Sequence, residues 1–266
     1  MARLFCFGFG YSAEALANRL KPKGWRIAGT ARATDKVNAL KQQGIEAVAF
    51  PLADVPAALA GTTHVLISTP PGPSGDPALE YAHGLAALTP RLEWLGYLST
   101  TGVYGDHAGA WVDETTPASP VTERGRRRHA AEQAWEAWGA AANVPVAIFR
   151  LAGIYGPTRN QLDGLRDATA RRIVREGQVF SRIHVDDIAQ VLEASIERPR
   201  TAIYNVCDDE PAPPHEVVEY AAQLLGIAPP RLERYEDAQA TMSEMAQSFY
   251  SESKRVRNDR IKQDLG

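Results

Sequence analysis

Residues 124–128 read RGRRR, four guanidinium groups within five positions. A guanidinium stays protonated at ordinary pH, so none of the four can pass a proton back and forth. Such groups hold carboxylates and phosphates through paired, charge-assisted hydrogen bonds. Three readings of the run are open: a nucleic-acid patch, a solvated helix face, or a helix that turns two arginines into a site. Arg124 and Arg128 are four apart and share one helix face, with Arg127 near it and Arg126 pointing to water. Two like charges at that spacing repel by roughly 0.2–0.5 kcal/mol in an exposed helix, and an anion between them would relieve this. The run is short and lacks interleaved aromatics. It also sits in a chain of formal net charge −3, which argues against a nucleic-acid partner.

A second group is Gly8-Phe9-Gly10-Tyr11-Ser12-Ala13, a GxGxxA turn between an apolar run and a helical pattern. Gly8 and Gly10 permit a tight bend and close approach of a pyrophosphate. The small Ala13 lets helix and strand pack closely. Amides at the helix start, at Tyr11 and Ser12, would face the phosphates. The context of strand, turn and helix is the one a dinucleotide-binding turn requires. The next strand ends in Thr30-Ala31-Arg32, with no carboxylate before Asp35. An acid there would hold a ribose 2′-hydroxyl, whereas Arg32 suits a 2′-phosphate. NADP is therefore expected in preference to NAD.

These residues need a scaffold. Short apolar runs at 3–7, 25–31, 46–50, 64–68, 94–99, 146–151 and 202–206 read as strands. Between them lie helical patterns near 12–20, 34–43, 78–88, 122–142, 161–176 and 186–197. Such alternation predicts an α/β fold with a doubly wound parallel sheet of Rossmann type. Residues 1–152 and 183–207 are expected to form the dinucleotide-binding domain. Residues 153–182 and 208–266 break the alternation and are expected to form a small substrate lobe on the C-terminal side.

Taken together the segments resemble the extended short-chain dehydrogenase/reductases, the NAD-dependent epimerase/dehydratase group, in an atypical form. The matching stretches are LSTTGVYG (98–105), RLAGIYGP (150–157), RIHVDDIA (182–189), YNVCDDEP (204–211) and SKRVRNDRIKQDLG (253–266). The usual turn of that family is GxxGxxG, and its first glycine position is Phe7 here. The resemblance implies an oxidoreductase or epimerase acting on a small anionic or nucleotide-sugar-like substrate. It aligns Thr100 with the family's catalytic serine/threonine. It also places Arg124 and Arg128 where the family carries the tyrosine and lysine of Tyr-x-x-x-Lys. The family's phenol exchanges a proton and its ammonium lowers the phenol's pKa. Arg124 cannot replace that phenol, though it could clamp an oxyanion, and Arg128 could still bond ribose hydroxyls. Another acid would have to act, and Tyr104, Asp106, His107 and Tyr155 are the candidates. A binding protein that senses NADP(H) without turnover is the alternative.

The resemblance also brings Thr69 and Pro70 near the cofactor ribose, makes Arg182 and Tyr155 substrate contacts, and suggests a homodimer. For His184-Val185-Asp186-Asp187 a helix cap by an aspartate is preferred over a metal site. Ser99, Asp106 and His107 show no hydrolase geometry. Cys6 and Cys207 lie in or beside apolar runs, so neither a disulfide nor a zinc site is expected. The N-terminal run is too short and glycine-broken for a signal peptide or a spanning helix, which gives a cytoplasmic expectation without a membrane partner.

Overall fold

A computed structural model describes residues 2–88 and 91–266. Its main sheet has seven strands: β1 (Arg3–Phe7), β2 (Arg26–Ala31), β3 (Glu46–Ala49), β4 (His64–Ile67), β5 (Trp94–Thr100), β6 (Val146–Leu151) and β7 (Ala202–Val206). They run in the order β7-β6-β5-β4-β1-β2-β3, and every pairing is parallel. The chain order reverses between β1 and β4, and a doubly wound sheet takes its ligand at that switch point.

Both faces of the sheet are covered, so β1, β4 and β6 are buried along their whole length. That explains why their sequences are apolar runs rather than alternating patterns. Side chains still alternate in direction. Leu4 and Cys6 pack with Leu16, Leu20, Val37, Leu40, Ile188 and Leu192, from helices α1 (Tyr11–Leu20), α2 (Thr34–Gln42) and, later in the chain, Val185–Glu197. Phe5 and Phe7 face the other way, toward Leu59, Leu85 and Trp135 of α3 (Val55–Leu59), α4 (Ala82–Leu88) and α5 (Glu123–Ala142). Burying each such side chain contributes roughly 1.5–3 kcal/mol.

The α/β expectation and all seven strands are found in the structure. The helical expectation for 161–176 is corrected. The helix there is α6 (Gln161–Arg166), and it stops because Ala168 takes a left-handed conformation at φ 54°. The Gly164 carbonyl then accepts both the Thr169 and Ala170 amides. Arg172–Val174 follows as a short strand, paired in parallel with Leu232–Arg234, with Ile173 buried. The expected helix at 78–88 divides into a 3-10 turn (Pro77–Tyr81) and α4.

In the lobe, Leu165 of α6 packs on Val218, Ala221 and Ala222 of the helix Pro214–Leu225. The lobe boundary also needs correction. Val256, Ile261 and Leu265 belong to the main core, beside Tyr204 and Ile196. The chain therefore leaves the lobe and returns to the sheet. On the way Arg255–Val256 pairs with Trp111–Val112.

Candidate active site

The β1–α1 turn is shaped by two glycines with different reasons. Gly8 adopts φ 82°, and its amide donates to Thr30 Oγ1 at 2.8 Å. A Cβ there would lie 3.0 Å from Thr69 Cγ2 and 3.1 Å from the Thr69 nitrogen. Gly10 caps α1 with no side-chain bond, and a Cβ on it would meet nothing within 4 Å. Its bare side opens on a cleft of about 1670 Å³, which Gly10, Tyr11 and Ser12 help to line. Ala13 is fully buried in the core beneath them. A turn of this form, with helix amides opening on free space, fits a pyrophosphate. The Tyr11 hydroxyl donates to the Pro157 carbonyl at 2.8 Å, and the Arg159 guanidinium stands 4.6 Å over the Tyr11 ring. The loop after β6 thus closes over the glycine turn.

The cofactor expectation for Thr69 is corrected. Thr69 is buried and its hydroxyl turns inward to Asp76 Oδ1 at 3.4 Å, while Pro70 is exposed. Of that turn Ser68 is the residue that lines the cleft. Asp76 also accepts the Ala78 amide and the Trp135 indole N–H, both at 2.9 Å. Burial pushes its carboxyl pKa up, and these bonds oppose the rise. Arg32 is exposed just after β2.

Thr100 ends β5 on the cleft wall, and its hydroxyl oxygen accepts the Gly102 amide at 3.1 Å. Arg124 and Arg128 line the same cleft, so both look inward as expected. Gly125 between them is buried, and a Cβ on it would lie 2.9 Å from the Gly102 carbonyl oxygen and 2.9 Å from Pro120 Cβ. Its absence lets α5 lie against the turn that follows Thr100. Arg128 donates to the Leu98 carbonyl, and its guanidinium sits 5.8 Å over the Tyr97 ring. Desolvation in the cleft, and then the charge of Arg128, push the Arg124 pKa below the ordinary arginine value. Arg126 and Arg127 both bond Glu123, at 3.0 and 2.9 Å. Arg127 is thereby drawn back toward the helix start, away from Arg124.

Tyr104 is corrected as a catalytic candidate. It is wholly buried, its hydroxyl donates to Asn205 Oδ1 at 2.7 Å, and burial pushes its phenol pKa up. Asp106 and His107 are tied into their loop. Asp106 accepts the Ser253 amide at 2.7 Å, which holds its carboxyl below the usual range, and His107 Nε2 contacts the Tyr104 carbonyl at 3.1 Å.

Tyr155 and Arg182 do line the cleft, at its lobe end. Tyr155 hydrogen-bonds Asp208, and burial, then that carboxylate, pushes its phenol up to about 12. Arg182 is half-buried and donates to the Phe180 and Ala212 carbonyls at 3.1 and 3.0 Å. His184 itself caps the following helix, with its Nδ1 accepting the Asp186 amide at 3.2 Å. The aspartate cap expected there is therefore a histidine cap.

The sequence did not reveal how several residues come together, and it gave Arg150 and Lys254 no role. Glu132, Arg150 and Ser99 form a buried network behind Thr100. Arg150 meets both Glu132 oxygens at 2.8 and 3.1 Å, and Ser99 donates to Glu132 at 2.5 Å. Lys254, from the returning tail, reaches the cleft and donates to the Gly105 carbonyl at 2.7 Å and Glu252 Oε2 at 2.6 Å. Arg159, next to the YGP triplet at 155–157, carried the only usable sequence signal among them.

A model of the NAD dependent epimerase/dehydratase family matches residues 84–207. Protein YeeZ of Escherichia coli strain K12 is 31% identical over 250 residues, covering 87% of this chain and 86% of YeeZ. The chain belongs to the NAD dependent epimerase/dehydratase family. This family member also matches the solved structure of a functionally unknown conserved protein from Silicibacter pomeroyi DSS. The TM-score is 0.90 and the identity 52%, covering 100% of this chain and 92% of that one. MoeE5 in complex with UDP-glucose and NAD superposes with a TM-score of 0.77 at 18% identity, covering 100% and 92%, a likeness of fold. Among the described residues no helix is long and apolar enough to cross a membrane.

Proposed function

We propose that the protein is an NADP-binding oxidoreductase or epimerase with a non-standard active site, acting on a small anionic or nucleotide-sugar-like substrate. The observation that carries the reading is the junction of two features in one cleft. The Gly8–Ala13 turn opens helix amides toward it, and Thr100, Arg124 and Arg128 line its wall. Bound nicotinamide dinucleotide would supply or accept a hydride. Gly10, Tyr11 and Ser12 would hold the pyrophosphate, and Arg159 would close over it. Arg32, exposed and without a partner among the described residues, would take the 2′-phosphate. Thr100 would donate a hydrogen bond to a substrate carbonyl. Arg128 and Arg124 would supply positive charge where it grows negative, a role that needs no proton exchange.

Titration of NADPH fluorescence tests the reading. Saturable binding is expected, and Arg32→Ala should weaken NADPH more than NADH. Tighter NADH binding, unaffected by Arg32→Ala, would reverse the cofactor preference. The withdrawal of Tyr104 into the core favours a second reading, a sensor of the NADP(H) ratio without turnover. Tight cofactor binding with no turnover across carbonyl and sugar-nucleotide panels would select it. Two free, buried cysteines suit a reducing, cytoplasmic setting.

A further inference from the structure

We infer that the Arg124 end of the cleft is a carboxylate site, and that the substrate is a small oxo acid whose anionic group docks beside Thr100. The inference deepens the reading of the cleft as a cofactor and substrate site and rests on it.

Among the described residues, the neighbouring charged groups at this end already have partners. Glu123 is bonded by Arg126 and Arg127, Glu252 by Lys254, and Asp76 by Trp135 and the Ala78 amide. Arg128 is tied to the Leu98 carbonyl. Arg124 has no hydrogen bond or ion pair among the described residues, although it lines the cleft one helical turn from Arg128. An unpaired guanidinium beside a like charge calls for an anion, and a carboxylate matches its fork of N–H donors. The start of the twenty-residue helix α5 adds its positive dipole end.

Thr100 is close to the same corner. The point where a Cβ on Gly102 would sit is 3.5 Å from Thr100 Oγ1 and 3.8 Å from Glu252 Oε2. Gly102 in turn abuts Gly125, the neighbour of Arg124. A carbonyl held by Thr100 and a carboxylate held by Arg124 therefore fit one short molecule.

The lobe end has the opposite character. Asp208, Asp209, Glu210 and Glu216 line it, and Arg182 is directed at two backbone carbonyls. Such a rim disfavours the diphosphate of a sugar nucleotide.

Isothermal titration calorimetry with oxalate, and with neutral oxamide as control, tests the site. Oxalate should bind the wild-type protein saturably and oxamide should not. Arg124→Gln should weaken oxalate about tenfold or more, the loss of a charge-assisted bond. Arg124→Lys should fall between, and Arg126→Gln should leave oxalate binding within about twofold, since Arg126 is held by Glu123 and lies outside the cleft. Arg124 is exposed, so unchanged melting should confirm a folded variant. The inference is overturned if oxalate fails to bind, if Arg124→Gln binds it as well as wild type does, or if UDP binds and only Arg182→Gln abolishes it. NADPH binding is measured separately on the same proteins. Failure there with the expected oxalate pattern would remove the cofactor reading and leave the carboxylate site standing.

Discussion

Arg150 meets Glu132 through two hydrogen bonds, and both side chains are almost completely shielded from water. The pair links β6 to the middle of α5, the helix that carries Arg124 and Arg128. Its guanidinium also lies 4.8 Å over the Tyr104 ring. The frame behind the site is thus ionic.

Glu132→Gln strands a buried guanidinium. It should cost about 3–5 kcal/mol, read as a lowered urea midpoint at unchanged slope. The double variant Glu132→Leu/Arg150→Met should recover much of that loss, because neither charge then remains. A double variant no more stable than Glu132→Gln would show that the network's shape, not its charge, matters.

The two turn glycines should respond differently. Gly8→Ala forces a side chain into a left-handed conformation against Thr69 and should lower both stability, by about 1–2 kcal/mol, and NADPH affinity. Gly10→Ala points a methyl into open cleft. It should melt near the wild-type temperature yet bind NADPH more weakly. Equal NADPH affinity in Gly10→Ala and wild type would move the dinucleotide away from this turn.

His64 provides a pH signature. Burial pushes its pKa down to about 4, with Trp25 packed edge-on at 4.7 Å. The folded protein keeps it neutral while the unfolded chain protonates near pH 6.5. Its contribution is therefore present above pH 6.5, declines as the pH falls from 6.5 to 4, and is gone below. The swing is about 3 kcal/mol. Comparison of urea midpoints for wild type and His64→Gln across that window should show a shallower acid loss in the variant. Parallel profiles would refute the assignment.

Tyr104→Phe deletes one buried bond to Asn205. A loss of about 1 kcal/mol is expected, with NADPH affinity unchanged. A collapse of cofactor binding would mean that the phenol serves the site after all.

The strands were legible because each is a short, largely apolar run, and β1, β4 and β6 are buried along their whole length. The glycine turn was legible because its backbone demands are local. Arg150 was not: it sits inside VAIFRL, where five apolar neighbours announce a core and nothing announces a charge. Its partner lies eighteen residues earlier, in a helix whose arginines dominate the reading. The turn at Ala168 was missed because an alanine in the left-handed region has no sequence signature, and pairing with Leu232–Arg234 makes 172–174 a strand. Lys254 reaches Gly105 across 149 positions, a distance that spacing rules do not cover.

That long return has a consequence for biosynthesis. The glycine turn and the first strands emerge early from the ribosome. The corner around Thr100 still lacks a wall until residues 252–265 have followed and wrapped back. A nascent chain thus completes its glycine turn well before it owns a finished pocket, and a clipped tail would leave that turn without its opposing wall.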